Sequence, residues 1–189
     1  MGQFMNLVQE GPLATLTFRS EKGMNVLSVE VLKELDQTWD AVEEDARLRV
    51  CILHGEGKVF FAGANIKEMA QLDPPGAIAF AERGQRVFAR IQHSRLVSIA
   101  ALHGAALGGG SELALACDIR IAAEGLKIGQ PEVNLGLIPG FGGTQRLPRI
   151  VGLGHALHLI LSGEALSAEQ AFRIGLVTKV TAPDKLIDE

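Results

Sequence analysis

The sequence predicts an α/β fold with much parallel strand pairing, and three observations carry that prediction. Short apolar runs of strand length alternate along the chain with amphipathic segments of helical period. Runs such as Val50-Cys51-Ile52-Leu53 are apolar throughout, as strands buried on both faces are. Hydrophobic residues make up 47% of the 189, enough for a sizeable core, so residues 1–189 are expected to form a single domain.

In order along the chain, residues 4–9 and 13–18 read as two strands turning at Gly11-Pro12. Val31, Leu32, Leu35, Trp39 and Val42 fall at helical spacing within 29–46, which predicts a helix there. Residues 50–53 form a buried-strand run and 59–61 a second short one. A helix is expected from Asn65, then a break at Pro74-Pro75, then a longer helix through Arg90. Residues 96–102 read as strand, 110–117 as helix and 119–123 as strand. Helices over 147–161 and 167–174 precede a last strand at 176–181. The ending, 184–189, has the pattern of an opening turn of an amphipathic helix, so the sequence reads as a chain cut short.

Composition narrows the function. Net charge is −4, with 18 Lys+Arg and 22 Asp+Glu mixed along the chain and no basic block, which argues against nucleic-acid capture. Arg83, Arg86 and Arg90 share a helical face that reads as solvated, and the first long helix is rich in acids. Cys51 and Cys117 each lie in an apolar run without ligand spacing, as buried reduced thiols do. The histidines show no metal-ligand spacing, and His103 reads as structural. No cationic start leads into an apolar stretch, so neither a secretory signal nor a membrane partner is read, and a cytoplasmic protein is expected.

Two glutamates set in glycine-rich turns stand out. Glu112 follows Gly108-Gly109-Gly110-Ser111, and Glu132 follows Gly129-Gln130-Pro131 ahead of Pro139-Gly140-Phe141-Gly142-Gly143. Glycine lets backbone approach a ligand closely, so each carboxylate can stand beside main-chain N–H donors. Asn65 reads as a helix N-cap, with Glu68 three residues on closing a capping box. The helix starts near Asn65 and at Gly108-Gly109-Gly110 each offer free N–H groups, which together could form an oxyanion hole. A nucleotide loop is disfavoured, because 140–143 lacks the full G-x-G-x-x-G. A serine hydrolase is disfavoured too: Leu113 breaks G-x-S-x-G after Ser111, to which no catalysis is attached.

The motifs G-A-N-I-K-E-M (63–69), H-G-A-A-L-G-G-G-S-E-L-A-L-A-C-D (103–118) and G-Q-P-E-V-N-L-G-L-I-P-G-F-G-G-T-Q-R-L (129–147) occur in that order. Together they closely resemble the enoyl-CoA hydratase/isomerase (crotonase) family. The segment 171–177 resembles its A-x-x-x-G-L-V, and Lys22-Gly23-Met24-Asn25-Val26-Leu27 its coenzyme-A-proximal loop. The resemblance spans essentially the whole chain.

It implies a crotonase-like α/β stack of ββα units with its C-terminal helical region truncated. It implies that Ala64 and Gly109 hold the thioester oxygen of an acyl-CoA on their backbone N–H groups. Lys22, Met24, Ala62, Ala64, Asn65, Ile66, Lys67, Gly109 and Gly140 would contact substrate, with Gly140 beside the reacting water. Glu112 would orient and deprotonate water, and Glu132 would handle the C2 proton. Asn65 stands where the family most often has Asp, a change that keeps the cap.

The implied activity is hydration of 2-enoyl-CoA, without metal or redox cofactor; coenzyme A is part of the substrate. The implied assembly is a homotrimer or dimer of trimers, with no nucleic-acid partner. Retaining both glutamates favours hydratase over a delta-isomerase of the same family, and a non-catalytic acyl-CoA-binding scaffold is the alternative of a different class.

Overall fold

The computed structural model describes residues 2–189. Its strands are β1 (Met5–Glu10), β2 (Leu13–Phe18), β3 (Val50–Gly55), β4 (Val97–Leu102), β5 (Ala105–Leu107), β6 (Ile119–Ala123), β7 (Lys127–Gly129), β8 (Ala165–Ser167) and β9 (Lys179–Thr181). Its helices are α1 (Val29–Glu44), α2 (Ile66–Met69), α3 (Pro74–Gln92), α4 (Gly109–Ala116), α5 (Gly143–Val151), α6 (Leu153–Ser162) and α7 (Ala168–Arg173).

The main sheet has the order β1-β2-β3-β4-β6-β9, antiparallel only between β1 and β2 and parallel from β2 onward. A second sheet, β5-β7-β8, lies across short connections from the first, so that β4 leads into β5 and β6 into β7. The units β1-β2-α1 and β4-β5-α4 repeat the same two-strands-then-helix order. Parallel strands need a crossover, which supplies the helices that cover the sheet.

Trp39, Leu35 and Leu32 of α1 and Phe88, Val87 and Ile91 of α3 are buried in one continuous core with Phe18, Phe60 and Phe61. The last three rings pack edge to face at centroid distances of 4.8–6.2 Å. Two of the three α3 arginines, Arg86 and Arg90, are paired rather than freely solvated. Arg90 donates to Asp36, Asp40 and Glu43 of α1 at 2.6–2.7 Å, and Arg86 reaches Asp36 at 3.3 Å. The acidic row of α1 and the basic row of α3 therefore hold the two helices side by side.

Several expected elements change. Pro74 and Pro75 open α3 behind the Asp73 cap instead of separating it from a neighbour, because proline's missing N–H costs nothing in the first turn. Residues 59–61 make only a single bridge, Phe61 to Ala106, between the sheets. The helix expected over 147–161 is two, α5 and α6, parted at Gly152, whose φ of 81° no helix accepts. The last strand is shortened to β9, and Pro183–Lys185 is a single 3-10 turn that tucks Leu186 beside Ala101 and Ala123. Both cysteines are free and buried.

Candidate functional site

A cavity of about 510 Å³ opens between α2, α3, the start of α4 and the segment 132–141. Its walls are mostly apolar, from Met69, Leu72, Phe80, Leu135, Leu137 and Phe141, while Glu112 and Glu132 supply carboxylates. An apolar cavity with a few convergent polar groups is the usual form of a small-molecule site.

Glu112 stands in the first turn of α4, a helix buried along its whole length. That helix is fixed at its other end by Arg120, whose guanidinium donates to the carbonyls of Ala114 (3.2 Å) and Cys117 (2.6 Å). The Glu112 side chain is 1% exposed, and its Oε1 accepts from the N–H of Phe141 (2.8 Å) and of Gly143 (2.7 Å). α5 begins at Gly143 behind Gly142, which has no side chain to cap it, so the Glu112 carboxylate serves as that cap from across the site. Glycine at 143 eases this approach, since a Cβ there would sit a tight 3.0 Å from both Glu112 and Pro139.

Burial pushes the Glu112 carboxyl up to about 7, and the charge of Glu132 pushes the same way. The two backbone N–H donors and the Arg146 cation pull against them without winning. Arg146 is itself tied to the Phe141 carbonyl at 2.7 Å and to Gln92 at 2.8 Å, and so braces the loop that holds Glu112.

Glu132 sits on a 3-10 turn, Pro131–Leu135, that ends at left-handed Gly136. It is half-buried, and burial raises its carboxyl from the ordinary range. Gly108, at a φ of 50°, leaves room for it: a Cβ there would lie 3.0 Å from Glu132 Oε1. The orientation of the Gln130 amide follows from its neighbours. With nitrogen toward the carboxylate, Gln130 Nε2 lies 3.1 and 3.2 Å from the two Glu132 oxygens, and its oxygen accepts from Ser111 Oγ at 3.2 Å.

Ala64 and Gly109 line the same cavity, and both also line a smaller pocket of about 110 Å³ beside Glu132. The residues flanking Ala64 are tied down, with Leu27 N–H donating to Gly63 O at 2.9 Å and Asn65 N–H to Leu27 O at 2.8 Å. Among the described residues, none accepts the Ala64 N–H. Gly109 is the first residue of α4, and Gly108 ahead of it provides no side-chain cap, so its N–H lies outside the helix ladder. Ala64, Gly109 and the two glutamates thus all line one apolar cavity.

Of the other expected contacts, Ile66 and Gly140 line the larger cavity and Ala62 the smaller. Lys22, Met24 and Lys67 line neither, and Met24 is an exposed loop residue. Asn65 faces a separate cleft of about 290 Å³ beside Arg19, Ser20 and Asn25. It caps α2 through a 3.4 Å bond from Glu68 N–H, yet the capping box stays half-made: the Glu68 carboxylate reaches Val29 N–H at 3.3 Å. The sequence reading missed Gln130 and Arg146, although both lie inside its third motif. Buried polar residues beside an acid were the available signal. Among the described residues, no cluster of three or more His, Cys, Asp or Glu could hold a metal ion.

Comparison with known proteins adds to this geometry. A family model described as Enoyl-CoA hydratase/isomerase matches residues 9–189. A probable enoyl-CoA hydratase of Bacillus subtilis is 53% identical over 88% of this chain and 64% of its own length. A crotonyl-CoA hydratase of Syntrophomonas wolfei is 47% identical over 97% of this chain and 71% of its own. The chain thus spans about two thirds of the length of these relatives. Among solved structures, an enoyl-CoA hydratase from Bacillus anthracis superposes with a TM-score of 0.94 at 38% identity, covering 98% of this chain and 73% of its own. One from Geobacillus kaustophilus does so at 0.96 and 34%, covering 100% and 72%. The fold is the crotonase-type α/β stack of those structures.

Proposed function

This chain belongs to the enoyl-CoA hydratase/isomerase family, and from that premise we propose that it adds water across the C2=C3 bond of a 2-enoyl-CoA thioester. The product is the 3-hydroxyacyl-CoA. The observation that carries the reading is that Glu112, Glu132, Ala64 and Gly109 all line one apolar cavity. The family's delta-isomerase reaction is not the better supported alternative, because both carboxylates are in place.

The thioester oxygen rests on the Ala64 and Gly109 N–H groups. They draw electron density toward it and leave C3 electrophilic, and they meet the enolate charge that gathers there as water adds. Each such donor is worth about 3–4 kcal/mol in the transition state. Water bonds to C3, its proton passes to Glu112, and Glu132 delivers a proton to C2. A Glu112 carboxyl held up to about 7 exchanges protons readily near neutral pH, which suits a group that gains one in one direction and returns it in the other. Coenzyme A enters as part of the substrate, and the scheme uses no metal or redox group. The acyl tail lies along Met69, Leu72, Phe80 and Leu135.

The same proposal treats residues 1–189 as one core domain, acting in the cytoplasm as a homotrimer or dimer of trimers. One continuous core joining Met5 to Val177 supports the first point. Exposed Leu153, Leu157 and Leu161 on α6 offer an apolar face for association, which sedimentation velocity tests directly. Among the described residues, no helix is long and apolar enough to cross a membrane. Hydration itself is tested by following the conjugated enoyl absorbance of a short 2-enoyl-CoA. Loss of absorbance with formation of the 3-hydroxyacyl thioester supports the reading, and an unchanged spectrum opposes it.

A further inference from the structure

We propose that Ser111 is a positioning residue that sets the Glu132 carboxylate through the amide of Gln130. This inference rests on the hydratase reading for its kinetic consequence, but its geometry stands independently. Ser111 is the residue just before Glu112 on α4, and Gln130 lies two residues before Glu132, ahead of the 3-10 turn. Ser111 and Gln130 are both 1% exposed, so neither exchanges partners with water. Ser111 Oγ donates to Gln130 Oε1 at 3.2 Å, which fixes the amide so that Nε2 faces the two Glu132 oxygens at 3.1 and 3.2 Å.

Without the hydroxyl, only the charge of Glu132 itself keeps the amide nitrogen toward the carboxylate, and that preference weakens when Glu132 carries a proton. The rotated amide would set oxygen against carboxylate. Consecutive residues of one buried helix therefore serve both acids, Glu112 directly and Glu132 at one remove. The amide donor favours the ionised form of Glu132 and opposes the effect of burial. It also restrains a side chain that stands on a short turn.

The variants Ser111→Ala, Gln130→Leu and their combination test this. Ser111→Ala is expected to lower kcat about tenfold with KM changed less than twofold, the size of one lost buried hydrogen bond. The basic limb of the kcat profile should move to higher pH, because Glu132 delivers its proton to C2 from the protonated form. Gln130→Leu should act in the same direction and more strongly. Adding Ser111→Ala to Gln130→Leu should change nothing further, since the serine acts only through the amide. Ser111→Cys, a weak donor of similar size, should recover part of the loss.

A second readout needs no turnover: titration of the Glu132 carboxyl by 13C NMR, assigned with Glu132→Gln. Its midpoint should rise in Ser111→Ala. An unmoved midpoint, or additive effects in the double variant, would overturn the inference whether or not the protein hydrates. Absence of hydration by the unsubstituted protein, together with a raised midpoint, would overturn the hydratase reading alone.

Discussion

The two acids of the site are the same residue type held in opposite ways. Glu112 grows from a fully buried helix, and its Oε1 is taken by two rigid backbone N–H groups. Glu132 grows from a 3-10 turn, is half-buried, and is met by a side-chain amide that must itself be oriented. The first carboxyl is a structural part of the fold as well as a candidate proton carrier, because it caps α5. The second can be altered with little consequence for the core. A pair so divided can differ in protonation although the two side chains share one cavity.

The largest expected effect is on turnover. Under the hydratase reading, Glu112→Gln and Glu132→Gln should each lower kcat by roughly a thousandfold, the scale of a lost general acid or base. Initial rates on a 2-enoyl-CoA read this out, and a near-normal rate in either variant removes that residue from the chemistry.

Stability should then separate the pair. Glu112→Ala strands two buried N–H groups, at Phe141 and Gly143, and should cost about 4 kcal/mol in chemical denaturation. Glu132→Ala should cost less than about 1 kcal/mol. Equal losses would abolish the contrast.

The pH dependence sharpens it further. The Glu112 carboxyl rises from 4.5 unfolded to about 7 folded, so between those values the folded state binds the extra proton. Its contribution is complete below pH 4.5 and is lost as pH rises through 7. The stability of Glu112→Gln relative to the unsubstituted protein should therefore grow by about 3 kcal/mol from pH 4.5 to pH 8. A difference that is flat with pH, or that shrinks, would mean that burial does not hold the proton on Glu112.

The smallest effect belongs to Asn65. Its cap bond to Glu68 N–H is long at 3.4 Å, so Asn65→Ala should cost only about 0.5 kcal/mol in thermal or urea melts. It should also leave kcat nearly intact, since the Ala64 donor beside it is fixed by the Leu27 bridge rather than by the cap.

How much of this was legible in the sequence follows from the range of each signal. The glycine-flanked acids were legible because glycines that ease a close approach, here Gly108 beside Glu132 and Gly143 beside Glu112, cluster around the groups they serve. The long helices α1 and α3 and the strands β2, β3, β4 and β6 were legible from local pattern, helical spacing for α1 and short apolar runs such as 50–53 for strands. Strands β5, β7 and β8 were not, since three residues cannot display an alternation and each exists only because a partner strand is adjacent. The division of α5 from α6 hid behind continuous apolar spacing, although Gly152 marked it. The role of Arg90 was misread because a face that looks solvated on one helix meets the acids of another, and only tertiary placement reveals that. Gln130 was passed over for the same reason: its partners, Ser111 and Glu132, come together only when β7 joins the second sheet.

The most direct test follows the 2-enoyl thioester absorbance with the purified protein and with Glu112→Gln and Glu132→Gln in parallel. The account predicts that the absorbance falls as the 3-hydroxyacyl thioester forms, and that the fall is roughly a thousandfold slower in each variant. An absorbance that never falls with the unsubstituted protein, or that falls equally fast in all three, would contradict it.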